Sequence, residues 1–235
     1  MKKYSYLLLI PLLFTLAACQ QNQSQGKTKD SEKITESSQP KKKVASKNSK
    51  SAKVTNNGSY YSVEGKYGPV IIVNKQHPLD KNYNPGEDPQ AKEAFLQVLA
   101  AMRNQGFSVS EQYSGFRSYD TQTELYQNYV NRDGQAQADR YSARPGYSEH
   151  QSGLAFDILD GQGNLLEEPQ ASQWLLEHAP DYGFVLRYLP SKESSTGYQA
   201  ESWHIRYVGK EAGDIAKSGK TLEEYYGVPG GDYTN

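Results

Sequence analysis

Residues 148–157 read SEHQSGLAFD, and residues 201–204 read ESWH. Together the two segments contain two histidines and three carboxylates, of which Asp157 and Glu201 are the ones considered for the site. Two imidazoles and one carboxylate give a zinc ion three protein ligands and leave the fourth tetrahedral position open, as in catalytic rather than structural zinc sites. The second carboxylate stands where a general base is needed. The segments therefore predict a hydrolytic zinc site, with His150, Asp157 and His204 as ligands and Glu201 as base.

The spacing within each segment sets conditions on local structure. If residues 153–159 form a strand, Gly153, Ala155 and Asp157 share one face, and the two small residues leave room above the sheet. In a regular strand Glu201 and His204 face opposite sides, so both reach one site only if Glu201 lies in a turn or bulge. Taken alone, each residue also has an interpretation that needs no metal. Asp157 can pair with an arginine, and a lone histidine is more often hydrogen-bonded than metal-bound.

The other two histidines are not predicted to bind metal. His77 precedes a proline in a loop and has no acidic neighbour at ligand spacing. His178 falls on the inner face of a predicted helix, where a buried, hydrogen-bonded histidine is expected. The single cysteine, Cys19, excludes both an intramolecular disulfide and a cysteine-rich zinc site.

Residues 1–19 have the pattern of an export signal. Two lysines precede an apolar stretch from Leu7 to Leu16, which is too short to span a bilayer. The stretch ends in Leu-Ala-Ala-Cys, which resembles the lipobox of bacterial lipoproteins. This resemblance implies that Cys19 is lipidated and anchors the protein to the extracellular face of the membrane, in the cell-wall zone. An ordinary secretory signal with an incidental cysteine is the alternative.

Residues 20–58 are predicted to be a disordered tether. They contain nine lysines against three acidic residues and only three large aliphatic side chains, too few to offset the entropy of ordering. The whole chain has a net charge of −1, so residues 59–235 are acidic. An acidic domain argues against nucleic-acid binding. The basic tether is expected to be a solvated spacer, with contact to anionic lipid or wall polymer as the alternative.

Residues 59–235 are predicted to form a single α+β domain, expected to be monomeric, with a central antiparallel sheet flanked by helices and the zinc site on the sheet. The predicted strands cover residues 70–74, 107–113, 153–159, 184–188 and 202–208. The predicted helices cover residues 89–105, 119–131, 135–143, 169–179, 210–218 and 221–226. Three helices have predicted inward faces: Phe95, Val98, Leu99 and Met102 in the first, Leu125, Tyr129 and Val130 in the second, and Ala171, Trp174, Leu175 and His178 in the fourth.

The order of the motifs resembles a known family. The run Ser148-x-His150-x-x-Gly153-x-Ala155-x-Asp157, followed by Glu201-x-Trp203-His204, is similar to that of the VanY-like D-alanyl carboxypeptidases. These belong to the LAS group of zinc peptidases, which includes lysostaphin-type enzymes and the Hedgehog signalling domain. The resemblance extends to Asn74-Lys75-x-His77-Pro78-Leu79, Tyr83-x-Pro85 and Ser114-Gly115-Phe116-Arg117-Ser118.

The resemblance implies a role for each matching position. One zinc ion per chain is held by His150, Asp157 and His204, and Glu201 is the catalytic base. Arg117 meets a substrate oxygen, either the terminal carboxylate or the developing oxyanion, although a structural salt bridge is its alternative. The remaining implied substrate contacts are Gln122, Ser148, Tyr188 and Trp203.

The tethered lipoprotein layout is most similar to that of the L,D-carboxypeptidases of Gram-positive cocci. It implies removal of the terminal D-alanine from tetrapeptide stems of peptidoglycan, with D,D-trimming of pentapeptides as the enzymatic alternative. A non-catalytic zinc-containing module that binds the cell wall is a second class of function, but such a module has little need of Glu201. A transporter's substrate-binding lipoprotein is a third, which leaves the zinc ligands unexplained.

Overall fold

The computed structural model describes residues 52–234. The predicted signal, the lipidation of Cys19 and the tether up to residue 51 lie outside the described residues. Residues 52–58, predicted as the end of the tether, belong to the folded part, because Thr55–Asn56 forms a strand and the backbone N–H of Ala52 donates to Tyr226 O at 3.3 Å. Within residues 52–234, no helix combines the length and apolar character needed to span a membrane.

Two antiparallel sheets are present in residues 52–234. The first contains β1 (Thr55–Asn56), β2 (Tyr61–Gly65) and β3 (Gly68–Ile72) in that order. The predicted strand at residues 70–74 is β3, two residues earlier than expected. The sequence did not predict β1 and β2, because both are short and mostly polar. Buried Val63 and Ile72 join this sheet to the core around Ile215 and Leu222.

The second sheet carries the predicted site segments. It contains β4 (Val109–Ser114), β5 (Ala155–Asp160), β6 (Phe184–Tyr188) and β7 (Glu201–Tyr207). The spatial order is β4-β5-β7-β6, and all neighbours are antiparallel. This confirms the predicted α+β architecture with a central antiparallel sheet.

Seven α-helices flank the sheets within residues 52–234. They are α1 (Pro89–Asn104), α2 (Tyr119–Asp133), α3 (Gln135–Ala138), α4 (Pro169–His178), α5 (Glu193–Thr196), α6 (Ala212–Ser218) and α7 (Leu222–Tyr226). The Asp88 side chain caps α1 by accepting from the backbone N–H of Ala91 at 2.8 Å. The predicted inner face of α1 is buried, and Phe95 stacks on Phe156 of β5 with ring centroids 4.7 Å apart.

Two helix faces differ from the prediction. On α2 the buried residue is Gln122, while Leu125 and Tyr129 are half-buried and line a cavity. On α4, Ala171 and Leu175 are buried but the His178 side chain is 44% exposed. The reason is that α4 ends at His178, and the 3₁₀ helix that follows turns Ala179 into the core instead.

Strand β5 separates the core from the candidate site. Phe156 and Ile158 point into the hydrophobic core beside α1, together with Ile205 of β7. Asp157 alternates with them and therefore lies on the opposite face of the sheet. Because the apolar face is buried against helices, the register of β5 is fixed, and with it the side on which Asp157 lies.

Candidate metal centre

The three predicted ligands converge on one face of the second sheet. Asp157 on β5 lies directly opposite His204 on β7, which places the two side chains side by side. His150 comes from the 3₁₀ helix Glu149–Ser152 that leads into β5. Asp157 Oδ2 lies 3.1 Å from His150 Nε2, and Asp157 Oδ1 lies 3.0 Å from His204 Nδ1. One potential ligand atom of each residue lies within 4.8 Å of the other two, and all three residues are buried.

The sharp turn between His150 and Asp157 depends on Gly153. This residue has φ +75°, a left-handed conformation that favours glycine, and it ends the 3₁₀ helix. A Cβ atom there would lie 2.0 Å from Gly86 O. Glycine is therefore required at position 153, because the backbone there is left-handed and because Gly86 approaches too closely to leave room for a side chain. The expectation that it lies in the strand and leaves room above the sheet was wrong, since β5 begins at Ala155.

The donor set fits a zinc ion. Asp157 Oδ1 is buried and has no hydrogen-bond partner, although His204 Nδ1 is close. An unsatisfied buried carboxylate oxygen is costly, and a divalent cation would remove that cost. Two imidazole nitrogens and a carboxylate oxygen are a ligand set of catalytic zinc sites. His150, Asp157 and His204 are therefore the residues that would hold the metal.

Both histidine rings are oriented by contacts on their far sides. His150 Nδ1 lies 2.8 Å from Gly115 O, and His204 Nε2 lies 3.3 Å from Glu149 Oε2. These contacts direct His150 Nε2 and His204 Nδ1 towards Asp157. Such partners on the second nitrogen fix the ring orientation and tautomer of metal-binding histidines.

Glu149 connects the site to a buried network of charges. Its Oε1 accepts from Arg187 Nε and from Arg206 Nη1, both at 2.8 Å. Arg187 also donates twice to Glu223 of α7, at 3.0 and 2.6 Å, and Glu223 accepts from Asn74 at 3.1 Å. Sequence reasoning missed the role of Glu149, and the only signal was its position between two motif residues.

Glu201 reaches the site through an irregularity in β7. The pairing of β6 with β7 steps from Leu186↔Ile205 to Tyr188↔Glu201, so β7 contains extra residues at this point. The sequence predicted Glu201 itself in a turn or bulge; instead Glu201 is a paired residue at the start of β7, and the irregularity lies between it and Ile205. Its Oε2 lies 3.7 Å from His204 Nδ1. Burial raises the pKa of Glu201 to about 8.

The charged groups that the protein itself supplies at the site stabilise one another. Burial acts to raise the pKa of Asp157, but His150 and His204 outweigh it and hold that pKa well below its ordinary value. Burial acts to lower the pKa of His204, but contacts with Asp157 and Glu149 outweigh it and raise the pKa to about 10. A proton on His204 and a metal ion are therefore alternative ways to neutralise the carboxylates.

The predicted substrate residues surround the metal ligands. A cavity of about 470 Å³ is lined by Glu201 and the three ligands together with Arg117, Gln122, Ser148, Tyr188 and Trp203. Arg117 donates to Gln122 Oε1 at 2.8 Å and to Ser114 Oγ at 2.9 Å, and its Nη2 lies 3.9 Å from Asp157. Gln122 is itself held by donating to Ala143 O at 2.7 Å. The hydrogen bonds that hold the guanidinium at the cavity wall thus come from neutral partners, and Asp157 adds a longer ionic contact.

Other lining residues were not predicted. They come from α2, from the loop after α3 and from the segment before β7: Leu125, Tyr129, Tyr141, Ser142, Ala143, Tyr198 and Gln199. No chemical motif marks them, so only the fold brings them to the cavity. A larger cavity of about 660 Å³ beside β3 contains no histidine and no candidate ligand.

His77 and His178 are not part of the candidate site, as predicted. Among residues 52–234, the group that can hold a metal contains neither of them. His77 is buried, and its Nδ1 lies 2.8 Å from Asn74 Oδ1. His178 lies at the C-terminal end of α4, where its Nδ1 is 3.6 Å from Asp181.

Comparison with solved structures finds close relatives of the folded part. The L,D-carboxypeptidase DacB from Streptococcus pneumoniae is 63% identical, with a TM-score of 0.76, and the match covers 78% of this chain and all of DacB. A mutant of the vancomycin-resistance D,D-pentapeptidase VanY, crystallised in complex with Zn(II), is 34% identical, with a TM-score of 0.58. That match covers 66% of this chain and 97% of VanY.

Comparison of sequences gives the same grouping. YodJ of Bacillus subtilis (strain 168) is 31% identical, and the match covers 84% of this chain and 87% of YodJ. The model of the VanY family, described as D-alanyl-D-alanine carboxypeptidase, matches residues 86–210, more than half of the chain. This region contains the three candidate ligands, Glu201 and Arg117. The chain therefore belongs to the VanY family of D-alanyl-D-alanine carboxypeptidases.

Proposed function

We propose that this chain is a zinc-dependent peptidoglycan carboxypeptidase that removes the terminal D-alanine from stem peptides, with the tetrapeptide as preferred substrate. The observation that carries this proposal is the convergence of His150, Asp157 and His204 in a cavity that Glu201 and Arg117 also line. The 63% identity to an enzyme named as an L,D-carboxypeptidase supports the tetrapeptide preference.

Glu201 is proposed as the general base and then the general acid. Zinc bound at this site would lower the pKa of a coordinated water and polarise the scissile carbonyl. The Glu201 carboxylate accepts a proton from the attacking water and later donates it to the departing amine of D-alanine. Its position 3.7 Å from a ligand nitrogen of His204 places it beside the metal ligands, as this role requires.

Arg117 is proposed to bind the terminal carboxylate of the substrate or the developing oxyanion. Its planar guanidinium offers parallel N–H donors that match a carboxylate. Ser114 and Gln122 hold the side chain at 2.9 and 2.8 Å, so little freedom is lost when substrate binds. Ser148, Tyr188 and Trp203 line the same cavity and are proposed to contact the D-alanine.

D,D-carboxypeptidase activity on pentapeptides is the second candidate. The description of the family model and the name of the VanY relative favour it. A non-catalytic zinc module that binds the cell wall is less well supported, because Glu201 is buried beside the candidate metal ligands and has no evident role without catalysis.

The test is to incubate the purified protein with defined tetrapeptide and pentapeptide muropeptides and to identify the released amino acid by mass spectrometry. We expect D-alanine from the tetrapeptide, loss of the activity with a chelator and recovery with zinc. Release of D-alanine from the pentapeptide but not from the tetrapeptide would show that the enzyme has D,D rather than L,D specificity. No release from either peptide by the zinc-loaded protein would contradict the proposed enzyme.

We also propose that Cys19 carries a lipid, which would anchor a monomeric protein to the outer face of the cell membrane. The support is the Leu-Ala-Ala-Cys sequence at the end of the apolar stretch. Metabolic labelling with a fatty acid should mark the wild-type protein but not a Cys19→Ala variant. Equal labelling of both would remove Cys19 as the anchor, and a dimer in light scattering would contradict the monomer.

A further inference from the structure

The C-terminal strap, defined as residues 229–233, lies beyond the part of the chain that matches the family model, residues 86–210. Backbone atoms hold the strap to two neighbouring segments. Gly231 N donates to Ser195 O at 2.7 Å. Gln76 Nε2 donates to Gly230 O at 2.6 Å, and Asn74 Nδ2 donates to Pro229 O at 3.0 Å. The path of the strap is therefore fixed by hydrogen bonds on both sides.

Tyr233 ends the strap against the loop that follows α3. Its hydroxyl accepts from the backbone N–H of Arg144 at 2.9 Å. The Arg144 guanidinium carbon lies 4.0 Å from the centroid of the Tyr233 ring, and the Tyr147 ring meets it edge-on at 5.0 Å. One tyrosine side chain thus contacts the loop at two points three residues apart.

The contacted loop forms a wall of the substrate cavity. Ser142, Ala143 and Ser148 line the cavity and flank Arg144 and Tyr147 in sequence. Ala143 O also accepts from Gln122, which in turn accepts from Arg117. The position of the loop is therefore coupled to the position of Arg117.

Tyr233 also contacts a second wall through Tyr198. The two hydroxyls lie 3.3 Å apart, and Tyr198 is buried and lines the cavity. Tyr198 packs on Tyr188 at 5.1 Å, and Tyr188 packs on His204 at 5.0 Å. Three tyrosine rings thus extend from the strap to a candidate metal ligand.

A buried lysine holds this arrangement together. The side chain of Lys75 is 2% exposed, and its Nζ lies 4.8 Å from the ring centroids of both Tyr198 and Tyr233. The same ammonium lies 3.1 Å from Asp232 Oδ1 in the strap. Cation–π contacts are stronger when the cation is shielded from water, so Lys75 ties the strap to the cavity wall.

We propose that Tyr233 is a positioning residue for substrate binding, which holds two walls of the cavity from behind without lining it. The proposal rests on the proposed function, because the cavity is taken to bind the D-alanine end of the stem peptide. Its physical basis is that a preformed wall spares the ordering cost that a mobile wall adds to binding.

The test compares Tyr233→Ala with the wild-type full-length protein. We expect KM for the tetrapeptide muropeptide to rise about tenfold. This is the factor expected if the variant holds the cavity wall in its binding-competent position only about one-tenth of the time. The turnover number and zinc content should change less than twofold. Hydrogen exchange of the backbone amides in residues 139–148 should become faster, a readout that needs no substrate and no turnover.

Two further variants separate positioning from folding. Tyr233→Phe keeps the ring and loses the hydroxyl, so it should raise KM by a smaller factor and remains informative if Tyr233→Ala does not fold. Tyr225→Ala alters another half-buried tyrosine, which packs on the core cluster around Ile215, and should leave KM unchanged.

Unchanged KM and unchanged exchange in the Tyr233 variants would overturn the positioning role. A parallel loss of zinc and turnover number would also overturn it, because it would indicate a purely structural residue. If the wild-type protein cleaves neither peptide, the proposed function fails, and the exchange of residues 139–148 still decides whether Tyr233 holds the wall.

Discussion

Asp157 gives the clearest physical reason for a metal at this site. It is a buried carboxylate on the polar face of the sheet, and its Oδ1 accepts no well-aligned hydrogen bond although His204 Nδ1 lies 3.0 Å away. Two histidines approach it with one ring nitrogen each, and both rings are held on their other nitrogen. The protein has thus positioned three ligand atoms around one point, and a divalent cation there would compensate for the burial of Asp157.

Replacing Glu201 by glutamine should separate metal binding from catalysis. The amide keeps the shape of the side chain but cannot accept a proton, so the turnover number should fall by about 10²- to 10⁴-fold, the usual contribution of general acid–base catalysis. Zinc content, measured by elemental analysis, should stay at one ion per chain. A near-normal rate would remove Glu201 from the mechanism.

The raised pKa values predict how stability depends on pH without metal. In the folded metal-free chain the pKa of His204 is about 10 instead of 6.5, and the pKa of Glu201 is about 8 instead of 4.5. A raised pKa contributes stability that is complete below the unfolded value and is lost as the pH rises through the folded value. His204 therefore loses its contribution between about pH 6.5 and 10, and Glu201 between about pH 4.5 and 8.

Zinc requires His204 without its proton, so the zinc-loaded protein should not show the loss that comes from His204. The difference in melting temperature between zinc-loaded and chelator-treated protein should widen as the pH is raised from 6.5 to 8. Differential scanning calorimetry at several pH values measures it directly. A difference that narrows over this range would contradict the assignment of His204 as a ligand.

Arginine at position 117 should not be replaceable by lysine. An ammonium cannot make the two parallel hydrogen bonds that a guanidinium offers to a carboxylate, and the contacts to Ser114 and Gln122 would be weakened. Arg117→Lys should lower kcat/KM on the tetrapeptide by at least tenfold with zinc content unchanged. Arg103→Lys, on the exposed surface of α1, is the matched control. Equal kinetics for the two variants would exclude Arg117 from substrate binding.

The site residues differ in how far the sequence predicts them. His150, Asp157 and His204 have the chemistry of ligands and a characteristic spacing, so the sequence alone predicts them, and the structure brings the three side chains together. Glu149 has no such signal, because its importance comes from its burial between Arg187 and Arg206, which are distant in sequence. Tyr198 and Tyr141 reach the cavity only through the fold.

Among the secondary-structure elements, the 3₁₀ helix before β5 links the metal ligands to the rest of the domain. Glu149 and His150 are consecutive in it, so one short element presents a ligand and the carboxylate that orients the other histidine. Through Arg187 and Glu223, the same carboxylate is connected to α7 and to Asn74 after β3. Ile71 of β3 accepts from Arg206 Nη2 at 2.6 Å, so the first sheet also contacts this network.

Glu149→Gln should weaken zinc binding by about 10- to 100-fold, the usual effect of removing a partner that orients a metal-binding histidine. It should also lower the free energy of unfolding by about 3–5 kcal/mol, because buried arginines lose a counter-charge. Competition with a chromogenic chelator and urea unfolding measure the two effects. Glu124→Gln, on the exposed side of α2, should change neither. Wild-type zinc affinity in Glu149→Gln would contradict the orienting role.

Elements with a strong apolar pattern were predicted well, and those without one were not. α1 has an apolar face and a capping aspartate, and β6 was located without error. β1 and β2 lack such a pattern, and their pairing depends on a register that only the folded chain establishes. His178 was wrongly predicted to face the core, because the helical spacing of apolar residues does not show where the helix ends.

At the scale of the whole molecule, the family match and the folded part differ in extent. The family model covers residues 86–210, whereas the described fold extends from residue 52 to residue 234. The first sheet, α6, α7 and the C-terminal strap lie outside the match. In these parts, Asn74 and Glu223 belong to the buried charge network of the site, and Tyr233 is the residue proposed to hold the cavity walls.

The most direct test of the metal centre is a crystal structure of the zinc-loaded protein with diffraction recorded on both sides of the zinc absorption edge. We expect one anomalous peak per chain, about 2.0–2.2 Å from His150 Nε2, His204 Nδ1 and a carboxylate oxygen of Asp157, with Glu201 facing the open position. A peak bound by other residues, or active protein with no peak between these three side chains, would contradict the account.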